Sequence, residues 1–213
     1  MSVPVGPTGC EQAKAAKDSS WLVGVSYGQF ETELWLAGAS TLEENMAVVS
    51  FGTSLGKYTV YGAVGTILGG TLNTSEGTFS IGQGWLSSVS GNRQWLYGID
   101  ENLFINGTLT VGVSQVTTRS ADSVKASLTS ADLRLGAIAG ITLWETISGY
   151  GLARVFGGPI FWKDRSETLI GQDQHHYNLG LGASVQVLNR FPLWVDVSFL
   201  GERSFSGGLS LRF

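Results

Sequence analysis

The 213-residue chain contains no long apolar run. A membrane-spanning helix needs about 20 consecutive apolar residues, and the most apolar stretch, 133–144, is broken by Arg134, Gly136 and Gly140. A helical membrane protein is therefore excluded. Charge is scarce too: Asp, Glu, Lys and Arg supply 14% of the residues, against about 25% in ordinary soluble proteins, which leaves little to solvate a conventional surface. The net charge of -4 and the lack of any Lys/Arg cluster exclude a nucleic-acid partner, whose phosphates require a basic stripe. Cys10 is the only cysteine, so neither an intrachain disulfide nor a cysteine-based metal site can form. It lies in MSVPVGPTGC, where the apolar segment of a lipoprotein processing site is missing and Pro7 takes the place of an aliphatic residue; lipidation is not expected. The Gly-rich runs at 65–70 and 156–159 lack the strand-to-helix setting of a phosphate loop. No metal or cofactor is expected.

What the chain has in excess is glycine, 30 residues in all, about twice the ordinary share. It also has a period-2 rhythm. Residues 1–18 stand apart as a tail or short helix, and from 19 to 213 about twelve strand-like segments follow, at 21–29, 31–40, 46–55, 57–68, 78–89, 93–104, 107–117, 130–143, 149–162, 175–188, 192–200 and 204–213. Most approach the 9 to 11 residues of a tilted spanning strand. Ten strands is the alternative count; the first half is the less defined, since 21–29 and 31–40 can also be read as one bent strand plus a loop. In Tyr177, Leu179, Leu181, Ala183, Val185 and Val187 one face is apolar, while Asn178, Gly180, Gly182, Ser184 and Gln186 make the other small and polar. Periodicity alone does not say which face is inside.

The last strand, SFSGGLSLRF at 204–213, places Phe205, Gly207, Leu209, Leu211 and Phe213 on one face and ends on the aromatic. Left unpaired it would be an aggregating edge, and closing the sheet into a barrel removes that edge. This strand is similar to the closing strand of bacterial outer-membrane β-barrels. The resemblance implies a barrel-assembly signal in Leu209, Leu211 and Phe213, a Gram-negative outer-membrane location, and contact with outer-membrane lipid or lipopolysaccharide. It also implies that Met1 opens a mature chain from which a secretory signal has been removed. The expected fold is all-β: a closed antiparallel up-and-down transmembrane β-barrel with short periplasmic turns and longer extracellular loops, its apolar face turned to lipid. Short connections at Asn106-Gly107, 145–148 and 189–190 fall on one side, and long polar ones at 118–129 and 163–174 on the other; 69–77 and the tight turn at 201–203 run against this pattern. Trp21, Trp35, Tyr58, Trp95, Trp144, Tyr150, Trp162, Tyr177, Phe191, Trp194 and Phe213 lie near expected strand ends, where interfacial girdles sit.

Charges inside such a barrel must pair or line water. The polar faces collect Glu33, Asp100, Asp132, Arg134, Arg154, Asp196 and Arg212 as a candidate lumenal network. If Arg154 faces inward, Tyr150, Leu152 and Phe156 do so as well, and Arg212 would face Asp196 or Glu33. His175 and His176 fall at the extracellular rim as candidates, but adjacent strand residues point to opposite faces and cannot share one lumenal site. Outer-membrane lipid hydrolases carry a His-x-Ser pair, for which His176-Tyr177-Asn178 lacks the hydroxyl. The omptin proteases have an Asp-x-His spacing, matched by Asp173-Gln174-His175, together with an Asp-x-Asp pair that this chain does not contain. The expected function is a narrow pore or transporter for a small solute, not an enzyme; a non-conducting structural or adhesive barrel is the alternative. An outer-membrane hydrolase and a soluble ligand-binding barrel stand behind these.

Overall fold

The computed structural model describes residues 20–36, 38–97, 102–120, 125–144, 146–164, 167–188 and 190–213. The expected N-terminal tail or helix at 1–18 and the candidate Asp100 lie outside these residues. Among the described residues there are twelve strands: β1 (Ser20–Trp35), β2 (Ala39–Leu55), β3 (Tyr58–Thr74), β4 (Gly77–Tyr97), β5 (Leu103–Arg119), β6 (Lys125–Leu143), β7 (Ile147–Gly157), β8 (Ile160–Asp164), β9 (Glu167–Asp173), β10 (Tyr177–Val187), β11 (Phe191–Gly201) and β12 (Arg203–Arg212). Every pairing is antiparallel. Ten strands, β1 to β7 and β10 to β12, close the ring, and β12 returns to β1 over the register Leu22 with Arg212 to Glu31 with Arg203. The C-terminal strand is thus paired on both sides, as an edge-free barrel requires.

β8 and β9 form a hairpin set above the ring: β8 continues on β6 at Ala126–Ser130 and β9 reaches β1 at Leu34 and Trp35. The β11–β12 hairpin ends early, at 201–203. Beyond that level the wall passes through β1 to β6, β8 and β9, so a ten-stranded barrel tapers to eight strands at the end distal to Ser20 and Phe213. Interruptions come where the chain cannot keep the ladder. Pro159, between β7 and β8, has no N–H to give, and its carbonyl accepts from Ala131 N at 3.1 Å instead.

Several boundaries differ from the sequence reading. The break expected at residue 30 is absent, and the one at 90–92 falls inside β4. Asn106-Gly107 is no turn but part of β5, paired with Gln94 and Arg93 on one side and Ile138 and Ala137 on the other; two flanking ladders override the turn preference of the dipeptide. The spans expected as long loops, 118–129 and 163–174, are mostly strand, and the connection at 69–77 reduces to a turn at 75–76 on their side of the barrel.

The interior changes character along its length. Near the chain termini the walls face inward with Ser50, Ser54, Thr59, Ser88, Ser90, Asn92, Gln94 and Thr110, all buried. Outward at the same level stand Val25, Val49, Phe51, Val60, Val64, Val89, Val111 and Leu135, all exposed. Apolar outside and polar inside is the membrane-barrel arrangement. Toward the distal end the pattern inverts. Inside lies a packed core containing Leu34, Leu36, Leu42, Ile67, Leu72, Leu86, Val116, Leu128, Ile160 and Trp162, while Glu31, Glu33, Glu43, Asn45, Thr117, Ser127 and Thr129 face outward. Apart from Trp35, Phe161 and Ile170, which are exposed on the same distal wall, that is the arrangement of a barrel in water. β4 at 21 residues and β6 at 19 are about twice as long as a spanning strand needs to be, so there is strand enough for both environments. Tyr27, Trp85 and Tyr177 are exposed at the changeover, and Trp21, Tyr58, Trp95, Trp144, Phe191 and Phe213 at the terminal end; these two belts bracket the apolar band. Tyr150, Trp162 and Trp194, expected in the girdles, are buried in the lumen. They sit on the inward parity of their strands, so position near a strand end did not decide their facing.

Candidate functional site in the barrel lumen

Directly beneath the distal core, side chains from β6, β7, β10 and β11 meet the tip of the β11–β12 hairpin. Arg134 and Asp132 are two apart on β6 and therefore share the lumenal face; the Nε of Arg134 donates to Asp132 Oδ2. Its other two nitrogens form a fork on Glu202: Nη1 donates to Oε1 at 3.0 Å and Nη2 to Oε2 at 2.9 Å. The Asn178 amide reaches Glu202 Oε1 at 3.4 Å, and the guanidinium lies over the Phe156 ring, 4.5 Å from its centroid. Glu202 is completely buried although it occupies a turn. The backbone permits this because Gly201 has φ +74 and a Cβ there would meet the Tyr177 carbonyl oxygen at 1.8 Å. Only glycine turns the chain tightly enough to tip the following carboxylate into the barrel.

A second pair lies below the first. Tyr150 donates its hydroxyl to Asp196, both buried, and the space for the ring comes from Gly182, where a Cβ would lie 2.2 Å from Tyr150. Arg154 points inward on β7 beside Gly136, within electrostatic reach of Asp196, Glu202 and Arg134. Tyr150, Leu152 and Phe156 share its inward face, as expected once Arg154 faces in.

Of the candidate network, then, Asp132, Arg134, Arg154 and Asp196 come together in the lumen. Arg212 also lies on the inward parity of β12, but Asp196 pairs across to Ser206, six residues from Arg212 or about 20 Å along the strand. It does not face Asp196. Glu33 is not lumenal at all: Leu34 takes the inward position on β1, and Glu33 lies outside, 3.3 Å from His175 Nε2. His176 is likewise exposed, beyond Gly157. The missing member was Glu202, hidden in a turn that the strand reading passed over. Its signal was the turn itself, too short for the side on which loops were expected.

The two ends of the Asp-x-His spacing lie in different surroundings. Asp173 is buried and accepts from Thr32 Oγ1 at 3.5 Å, whereas His175 stands outside against Glu33; the break in pairing between β9 and β10 separates them. Among the described residues no three His, Cys, Asp or Glu side chains gather as a metal would require.

No protein-family model matches the sequence, and no curated protein does. Solved structures do. The chain is similar to the outer membrane protease OmpT from Escherichia coli, with a TM-score of 0.54 at 10% identity over 92% of this chain and 97% of that one. It is similar to the translocator domain of the autotransporter NalP from Neisseria meningitidis, at 0.52 and 13% identity over 96% and 91%. The COG4313 outer membrane channel from Pseudomonas putida F1 gives 0.50 and 9% identity over the whole of both chains. A protease, a translocator and a channel share no activity, so what they have in common is architecture. The closed antiparallel ring, the lipid-type outer band and these neighbours together identify the fold as that of the Gram-negative outer-membrane β-barrels.

Proposed function

We propose that the protein is a sealed barrel of the Gram-negative outer membrane, a structural element standing above the bilayer and not an open pore. The observation that carries this reading is the polarity inversion: the wall is lipid-adapted over one half and water-adapted over the other, and the water-adapted half is closed on a packed, largely apolar core that also buries Glu44. A conducting path would have to cross both that core and the Arg134–Glu202 pair below it. Packed interiors leave few gaps wider than a water molecule. The sequence alone favoured a narrow pore; the filled distal lumen favours the non-conducting alternative. The separation of Asp173 from His175 favours a role without proteolysis.

Liposome swelling tests this reading, with refolding first verified by heat-modifiable migration in detergent. Vesicles carrying the protein are expected to take up small sugars and amino acids no faster than protein-free vesicles. Uptake that rises with protein content would overturn the sealed barrel and restore the pore.

A further inference from the structure

On the lipid-facing wall one row of outward residues crosses six strands: Tyr58, Arg93, Gly107, Ala137, Ala153 and Leu179, paired in that order. Its middle consists of three small residues, while the next row toward the distal end carries Leu109, Leu135 and Val155. The result is a trough of about 680 Å³ lined almost wholly by apolar atoms. Its other wall is built by a β-bulge between Gln94 and Leu96, which leaves Trp95 outside the ladder. The indole lies over Gly107, where a Cβ would come within 2.6 Å of the ring. Five inter-strand steps make the trough about 24 Å long. It begins at the terminal-end aromatic belt, where the Arg93 guanidinium sits 5.5 Å from the centroid of Tyr58, next to the Gly56–Lys57 turn. A cation at one end of an apolar channel on a membrane-facing wall matches one chemistry.

We infer that this trough is a binding site for an anionic glycerophospholipid of the leaflet nearest the chain termini. Arg93 takes the phosphate, and one acyl chain lies over Ala137 and Ala153 against the indole of Trp95, which itself covers Gly107. Ordinary annular lipid needs no trough and no headgroup preference. Here the small residues remove the side chains that would displace an acyl chain, and Arg93 supplies selectivity of about fivefold, the worth of a single basic residue at an anionic surface. The site rests on the membrane-embedded half of the functional reading and is independent of whether the lumen conducts.

The test uses the full chain in phosphatidylcholine vesicles containing dibrominated phosphatidylglycerol or dibrominated phosphatidylcholine at equal mole fraction. The signal of Trp95 is the difference between the wild type and Trp95→Phe. Half-maximal quenching is expected at a ratio of brominated to unbrominated lipid about fivefold lower for phosphatidylglycerol than for phosphatidylcholine; Arg93→Gln should remove the preference, Arg93→Lys keep most of it, and Ala153→Phe weaken quenching by both lipids. Equal quenching by the two lipids, or a preference that survives Arg93→Gln, reduces the trough to ordinary annular contact and overturns the site. Stronger displacement by lipopolysaccharide than by phosphatidylglycerol, or a crosslinked dimer through Ala153→Cys, assigns the trough to another occupant and overturns it equally. Absence of any quenching contradicts membrane insertion itself, an outcome distinct from a conducting lumen.

Discussion

Replacing Glu202 by alanine is expected to destabilise the folded barrel by about 3–5 kcal/mol, the cost of leaving one member of a buried ion pair without its partner. Arg134 is 2% exposed and Glu202 fully buried, and the two make a bidentate contact. Without the carboxylate, Arg134 retains Asp132 but loses the fork that satisfies two of its nitrogens. Equilibrium urea unfolding in lipid vesicles measures the loss. The Arg134→Met/Glu202→Met double variant is expected to be distinctly more stable than the sum of the single replacements, because it removes both charges together. Additive losses would mean that the fork contributes no coupling. The hairpin tip would then be held without help from the fork.

The second large effect follows from the polarity inversion. Val111 and Thr117 both face outward on β5, six residues apart. Val111→Arg places a charge in the apolar band and is expected to cost about 2–4 kcal/mol. Thr117→Arg lies beyond the changeover, faces water, and is expected to stay within about 0.5 kcal/mol of the wild type. On the inner face the order reverses: Leu128→Ala opens a cavity in the distal core at about 2–5 kcal/mol. Ser90 faces the polar lumen, where its hydroxyl meets that of Thr110 at 2.9 Å, so Ser90→Ala loses only about 1 kcal/mol. The same unfolding measurement reads all four variants. If Val111→Arg were tolerated as well as Thr117→Arg, the apolar band would not be a membrane surface.

Much of the wall was legible because period-2 alternation is a local property. The faces of β10, β11 and β12 follow directly from Leu179, Leu181, Leu193, Val195, Leu209 and Leu211. The closing role of 204–213 followed from its apolar edge, and the inward aim of Arg154 with Tyr150, Leu152 and Phe156 needed only strand parity. What escaped depends on non-local pairing. Asn106-Gly107 has every local mark of a hairpin and is held straight by β4 and β6. Strand parity alone gives each strand one facing and places Glu33 inward, whereas the outward side of β1 carries Val23 and Val25 first and Glu31 and Glu33 beyond them, with Phe30 and Leu34 inside. That switch is the inversion itself. It is visible in the sequence only once the register of neighbouring strands shows it repeated around the ring. Glu202 was passed over for a related reason: a turn residue has no strand parity, and its burial comes from the taper that ends β11 and β12 below their neighbours.

On the proposed reading one continuous wall is lipid-facing over half its length and water-facing over the rest. Because Cys10 is the only native cysteine, a Cys10→Ser background allows single cysteines to be placed at the outward positions 109, 111, 113, 117 and 119 of β5 and challenged with a membrane-impermeant maleimide after insertion into vesicles. Protection is expected at 109, 111 and 113 and rapid labelling at 117 and 119. Uniform protection along the strand, or labelling at 111 as fast as at 117, would contradict that reading.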